Sequence, residues 1–276
     1  MTQTTAQYLT SLIEKYTPSP TEFDSARKHR AGIESRLDAW LGVHEMFETG
    51  SLKHGTGVSS FSDADYFVSL KGERPTSTTA LNKVKEALQD KYPATTIQNR
   101  RPAVVCKFAA GTETVEVVPA YSANTGYWIP DPKTGEWMNS HPKSHNTYVN
   151  DVDKKHSGSA KKLARLAKTW KYKRNVPVSS CYLEMRAAKY IDGESYVELV
   201  QYLYLFLNHL QNIELASMND PTGLGSRFNA YSSDYNKNDT LSKISTAVIR
   251  AEKAMDFAKD EDHDSAIGQL KLLFNQ

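Results

Sequence analysis

The sequence predicts an α+β chain of two lobes, a mixed β-sheet lobe with helices at its amino-terminal side followed by a lobe made of helices. Three observations carry this. Short β-like runs are confined to residues 44–118. Helical periodicity occupies the first forty residues and returns near residue 150, and the polar stretch "SHNTYVNDVDKKHSGSA" marks the change of regime. The expected division is therefore 1–150 for the N-terminal helices and α/β core, and 151–276 for the helical lobe. At 39% hydrophobic and 24% charged, a chain of 276 residues is ordinary for a protein that buries a full core as one large domain or two tightly joined lobes.

In chain order, Leu9, Leu12, Ile13 and Tyr16 fall on one helix face, and Pro18 and Pro20 stop that helix. Thr21 is the expected cap of a second helix, whose buried face would use Ala26, Ile33, Leu37, Trp40 and Leu41. β-like runs follow at 44–49, 64–70, 104–109 and 114–118, with a helix near 80–92, and "AAGTE" reads as a hairpin turn between the last two. Beyond residue 150, "SAKKLARLAKTWKYK" places Leu163, Leu166, Ala167 and Trp170 on one face. "SYVELVQYLYLFLNHL" is apolar nearly all round and should cross the centre of the helical lobe. Helices near 241–258 and 264–274 complete the expectation.

Charge and cysteine usage narrow the function. Thirty-four basic against thirty-two acidic residues give a net charge of +2, so no large nucleic-acid surface and no membrane partner are expected, and any anion affinity must be local. Cys106 and Cys181 lack metal-type spacing, which fits a reducing, cytoplasmic setting. The stretch "MTQTTAQYLTSLIEKY" lacks an export pattern, and no run of about eighteen apolar residues predicts a membrane span.

The chemistry concentrates in "ETGSLKHGTGVSSFSDADYFVSL". Residues two apart on a strand share a face about 6.5 to 7 Å from each other, so Asp63 and Asp65 converge. Carboxylates paired at the start of an apolar strand repel and lose hydration, and such oxygen donors suit magnesium or manganese. Two such ions, about 3.5 to 4 Å apart, serve phosphoryl or nucleotidyl transfer. Glu116 in "TVEVVPAY", with Val115 and Val117 facing the other way, is the expected third carboxylate. Gly50 lets backbone approach a ligand, and Ser51 adds a hydroxyl to amides that can hold phosphate oxygens. His141 and His145 have helical metal-pair spacing, but "HPKSH" contains proline and lacks the glutamate of a zinc protease.

"GSLKHGTGVSSFSDADYFV" followed by "VEVVPA" resembles the polymerase-β-type nucleotidyltransferase core. "YWIPDPKTGEWMNSHPKSH", "KKLARLAKTWK", "VPVSSCYLE" and "NDPTGLG" resemble, in order, blocks of the bacterial cyclic-oligonucleotide synthases, relatives of animal cyclic GMP-AMP synthase and oligoadenylate synthase. The resemblance spans roughly residues 45–230 and implies a two-lobed polymerase-β-like nucleotidyltransferase that binds nucleoside triphosphates in a cleft. It implies that Lys168 and Ser180 contact the donor triphosphate, and the edge formed by Lys161, Arg165 and Lys168 would face phosphates or solvent. Two positions depart from the pattern. Glu116 stands where many relatives have aspartate, and Cys181 where many place a base-stacking aromatic, so Tyr182 is the expected ring. The "NDPTGLG" block would lie at the cleft mouth as a surface loop or a lid.

The leading expectation is condensation of triphosphates into a cyclic di- or trinucleotide, with two Mg2+ or Mn2+ ions held by Asp63, Asp65 and Glu116. The resemblance further implies a downstream effector that responds to the product during phage infection, with no regulatory partner identifiable. Transfer of a single nucleotide to another acceptor, and a non-catalytic nucleotide-binding module, are the competing readings.

Overall fold

The structure, a computed structural model, describes residues 3–276; residues 1 and 2, the start of the stretch read for export signals, lie outside the described residues. Helices α1 (Thr5–Lys15) and α2 (Asp24–Leu41) lead into β1 (Val43–Thr49), the single turn α3 (Gly50–His54) and β2 (Ala64–Leu70). Helix α4 (Ser77–Lys91) precedes β3 (Thr96–Arg100), β4 (Ala103–Phe108) and β5 (Glu113–Ser122), and a hairpin of β6 (Tyr127–Pro130) and β7 (Trp137–Ser140) extends the far end of β5. The strand order is β1-β2-β5-β4-β3, with β2 and β5 parallel and the other neighbours antiparallel.

Alternation along the central strands sorts the sheet into two faces. Ala64, Tyr66, Val68 and Leu70 of β2 join Val115 and Val117 of β5 in a core closed by Ala26, Ile33 and Leu37 of α2 and Leu81, Val84 and Leu88 of α4. The opposite parity, which carries Asp65 and Glu116, turns away from those helices.

The second lobe comprises α5 (Pro142–Lys155), α6 (Ser159–Lys173), α7 (Ser180–Asp192), α8 (Leu199–Asn212), α9 (Asp234–Lys259) and α10 (His263–Phe274). Its core joins Leu163 and Trp170 of α6, Leu183 of α7, and Leu203, Phe206 and Leu207 of α8 to Leu270 and Phe274 of α10.

Several sequence expectations are corrected. The polar stretch near 150 is helix α5, whose Val149 and Val152 are buried, so residue 150 falls inside a helix rather than in a connection. Leu9, Leu12, Ile13 and Tyr16 of α1 lie in the helical-lobe core, not with the sheet. Thr21 does not cap α2, which starts after Phe23 without a side-chain cap. Trp40 is exposed and lies under the Arg36 guanidinium, 4.0 Å from the ring centroid, where a cation over an aromatic face replaces burial. Strands β3, β6 and β7 have no counterpart in the expectation because "TIQNR" is polar and "YWIP" and "WMNS" are four residues each.

Candidate active site

Strand register builds the carboxylate group. Asp65 and Glu116 are direct partners across the parallel β2/β5 pair, and Asp63 sits two residues before Asp65, just ahead of the strand. One nitrogen of Arg100, at the end of β3, lies 3.4 Å from Asp63 Oδ2 and is also ion-paired with Glu116 Oε1. A single guanidinium therefore bridges two of the three acids. Loss of hydration, opposed by the charges of Arg100 and Lys107, raises the Asp63 carboxyl above its usual range. Loss of hydration, reinforced by the charge of Asp63, raises Asp65 to about 7.

The Gly50–Ser51 turn lies against this group. Gly50 has φ +67°, and a Cβ there would intrude on Asp65 Oδ2, so both backbone and space demand glycine. Ser51 donates its hydroxyl to Ser62 Oγ at 3.1 Å, and Ser62 in turn accepts from the Val58 amide at 2.8 Å. The loop after the turn is held by the helical lobe: Arg165 donates to Gly57 O at 2.8 Å and to Gly55 O at 2.7 Å. On the basic edge of α6, Arg165 thus grips a backbone loop while Lys161 is engaged by Asn150 and Asp153 of α5.

Lys168 is placed differently from the family expectation. Its side chain is 0% exposed, with Nζ 3.3 Å from both Glu184 Oε2 and Thr56 Oγ1. Glu184 also takes hydrogen bonds from Thr56 and pairs with His54, so one buried carboxylate ties α7 to α6 and to the segment just after Gly50–Ser51. His54 and Lys168 hold the Glu184 carboxyl well below its ordinary range despite its burial. A lysine already bonded on this inner side is a strut beneath the acids and has no free face for a triphosphate.

A second basic group, Lys171, lies one turn further along α6 and has no acidic partner among the ion pairs of the described residues. Its ammonium contacts Ser180 Oγ, and Tyr172 places its hydroxyl 3.1 Å from the same oxygen. Burial first, then the positive charges of Lys168 and Arg100, lower the Lys171 pKa to about 8. Ser180 opens α7 behind the Ser179 cap, so its hydroxyl faces α6. Tyr182 does not meet the base-stacking expectation: it is wholly buried, its hydroxyl donates to Ala216 O at 2.9 Å, and no ring face is open to a ligand. Phe61, two residues before Asp63, is an exposed aromatic stacked with centroids 4.9 Å apart on Tyr172, whose hydroxyl feels the charges of Asp63 and Asp65. Sequence reasoning missed Lys171, Arg100 and Phe61. Lys171 lay one i, i+3 step beyond Lys168 on the helix face, whereas Arg100 belongs to a strand that the pattern did not reveal.

The "NDPTGLG" loop is pinned by Asp220, which accepts from the Thr222 and Gly225 amides at 2.8 Å and pairs with His145 at 2.7 Å. These bonds favour a fastened surface loop over a lid, and they occupy His145. The Asp220 carboxyl drops to about 2, because hydrogen bonds from His145 and Thr222 outweigh its loss of hydration.

The acids suit a divalent cation by donor chemistry: all are hard oxygens, Asp63 and Asp65 are destabilised as bare anions, and an internal cation already bridges Asp63 and Glu116. Among the described residues, no three metal-ligating side chains yet close on one point. Arg100 stands between Asp63 and Glu116 instead.

Among the described residues no helix is long and apolar enough to cross a membrane. Solved structures that share the fold at low identity include the following three. That of CdnC from E. coli MS115-1 with ATP is 16% identical, with a TM-score of 0.76 and 98% of each chain covered. Vibrio cholerae DncV cyclic AMP-GMP synthase, with the linear intermediate pppA(3',5')pG, is 14% identical, with a TM-score of 0.76 over 99% of this chain and 96% of that one. Bradyrhizobium diazoefficiens CdnG with GTP is 12% identical, with a TM-score of 0.73 over 99% and 98%. No significant match was found among curated proteins. The family model described as "Second Messenger Oligonucleotide or Dinucleotide Synthetase domain" matches residues 2–153, more than half of the sequence. With the acid pair, the glycine turn and a two-lobed fold in place, the chain belongs to that family of metal-dependent nucleotidyltransferases and synthesises an oligonucleotide second messenger.

Proposed function

We propose that the protein condenses two or three nucleoside triphosphates into a cyclic product, using Asp63, Asp65 and Glu116 as the acidic centre. The observation that carries this is the Asp65–Glu116 register, with Asp63 beside it and Gly50 packed against the Asp65 carboxylate. Two magnesium or manganese ions held by these acids would neutralise charge at the α-phosphate and activate the attacking ribose hydroxyl.

The chain's own residues then have distinct tasks. Ser51 and the amides of its turn line the approach to Asp65. Lys171 and Ser180 meet on the helical lobe, with Lys171 near enough to Arg100 to feel its charge, and would orient the donor triphosphate, so that pyrophosphate departs toward a positive group. The stacked Phe61 and Tyr172 rings offer an aromatic plane for a base. Lys168 and Glu184 act beneath this layer and fix the phosphate-gripping turn against α7.

Cyclisation is supported by the fold shared with Vibrio cholerae DncV, a cyclic AMP-GMP synthase solved with a linear intermediate, and triphosphate use by the ATP bound to CdnC. The product would act on a separate effector in defence against phage, and control by a partner protein is supported by the solved complex of CdnC with HORMA-deltaN. The experiment is incubation with a four-nucleotide mix and Mg2+, followed by phosphatase treatment and mass spectrometry. Phosphatase-resistant oligonucleotides are expected from the native protein and none from Asp63→Asn/Asp65→Asn; undiminished product from that double variant refutes the mechanism.

A further inference from the structure

Arg100 is unusual among the cations of this chain. It ends an edge strand, its side chain is 58% exposed, and yet the guanidinium turns inward to touch Asp63 and Glu116 together. An exposed arginine has many solvated alternatives, so bridging two carboxylates reflects an attraction that two acids create by sharing one place. The charge so supplied lies where a divalent ion would have to bind. Close by, Lys171 is near enough for its own ionisation to feel Arg100, so the guanidinium also neighbours the Lys171–Ser180 pair proposed for the triphosphate.

We infer that Arg100 is an internal counter-ion that guards the metal site and makes metal entry conditional on nucleotide. Without nucleotide the guanidinium neutralises Asp63 and Glu116 and competes with a free divalent ion. When a triphosphate arrives beside Lys171, its phosphate oxygens offer the guanidinium a bidentate partner of higher charge. The side chain swings from the acids to the phosphate, and the carboxylates become available to the ion the nucleotide brings with it. No covalent step is involved. One flexible, solvent-reachable side chain exchanges one anionic partner for another. One guanidinium nitrogen reaches both carboxylates, and what favours arginine over lysine is the exchange that follows, in which the planar fork can offer a phosphate two parallel donors. The residue is a positioning residue for the metal, and this role rests on the acidic centre proposed above.

Direct metal binding tests it apart from turnover. Free Mn2+ is followed by electron paramagnetic resonance as it is titrated into full-length native protein, Arg100→Ala and Arg100→Gln, each with and without a non-hydrolysable ATP analogue. Native protein without analogue should bind Mn2+ weakly, and both variants should bind it roughly tenfold more tightly, the scale of a lost charge-assisted bridge between two carboxylates. With the analogue present, the gap should narrow to less than about threefold, because the phosphate has by then drawn the native guanidinium away. Adding Asp65→Asn to Arg100→Ala should abolish the gain. Equal Mn2+ affinity of native and variant proteins without nucleotide overturns the guard while leaving the acidic centre intact. Failure of every form to bind Mn2+, even with the analogue, overturns the acidic centre itself and the guard with it. Agreement between the Ala and Gln variants separates loss of charge from any local misfolding at the strand end.

Discussion

Removing the Glu184 carboxylate tests whether the two lobes are joined by a buried charge. Lys168 is 0% exposed and its ammonium has two oxygen partners, Glu184 and Thr56, each at 3.3 Å. Glu184→Met strands that ammonium and the His54 ring in a dry site. Breaking one side of such a pair costs about 3–5 kcal/mol. For a chain of this size that is a fall of roughly 10 °C in melting temperature. Lys168→Met strands Glu184 in the same way and should cost a similar amount. The double variant removes both charges and replaces them with side chains of similar length, so its cost should fall short of the sum of the single costs by at least about 2 kcal/mol. Urea unfolding followed by tryptophan fluorescence measures all three, with Trp170 of α6 inside the same core as the reporter. Strictly additive costs, or a Glu184→Met cost under about 1 kcal/mol, would show a solvated pair and refute the strut.

Three further outcomes are expected. Lys171→Ala should raise KM for the triphosphate about 10- to 100-fold, the worth of one charged hydrogen bond, with little change in melting temperature, whereas Lys168→Met should do the reverse; steady-state pyrophosphate release and a thermal melt read the two apart. Gly50→Ala forces a side chain into φ +67° and against Asp65, so kcat/KM should drop about 100-fold or more while the fold persists, measured by the same release assay and circular dichroism. Asp220, with its pKa lowered to about 2, lends stability that is complete above its unfolded value near 4 and is lost as pH falls towards about 2. Asp220→Asn should therefore lower stability at neutral pH and flatten the dependence between about pH 5 and pH 2, as followed by urea midpoints.

Legibility from sequence divides along one physical line. The strand 64–70, the hairpin turn at "AAGTE", and the parity that sets Asp65 and Glu116 apart from the valines could be read directly, because each depends on neighbours in the chain and on a period of two. Helices of the second lobe were legible for the same reason, with a period of 3.6. Helix α5 was not, since its polar outer face hid two buried valines within a stretch that resembled a connection.

What a charged or aromatic side chain does is decided by what other segments bring to it. Lys168 and Lys171 lie three residues apart on one helix, yet the first meets Glu184 and Thr56 in the interior and the second meets Ser180 at the start of α7. Tyr182 is buried where an available ring was expected, because α7 turns its tyrosine onto Ala216, and Phe61, for which no role was expected, is the more exposed ring. Arg100 reaches Asp63 and Glu116 only once β3 is laid at the sheet edge beside β4. Sequence alone determined which residues share a face and that two acids begin a strand behind a glycine turn. Tertiary structure decided which cations answer them, since burial and partner choice arise from contacts tens of residues apart that no local period encodes.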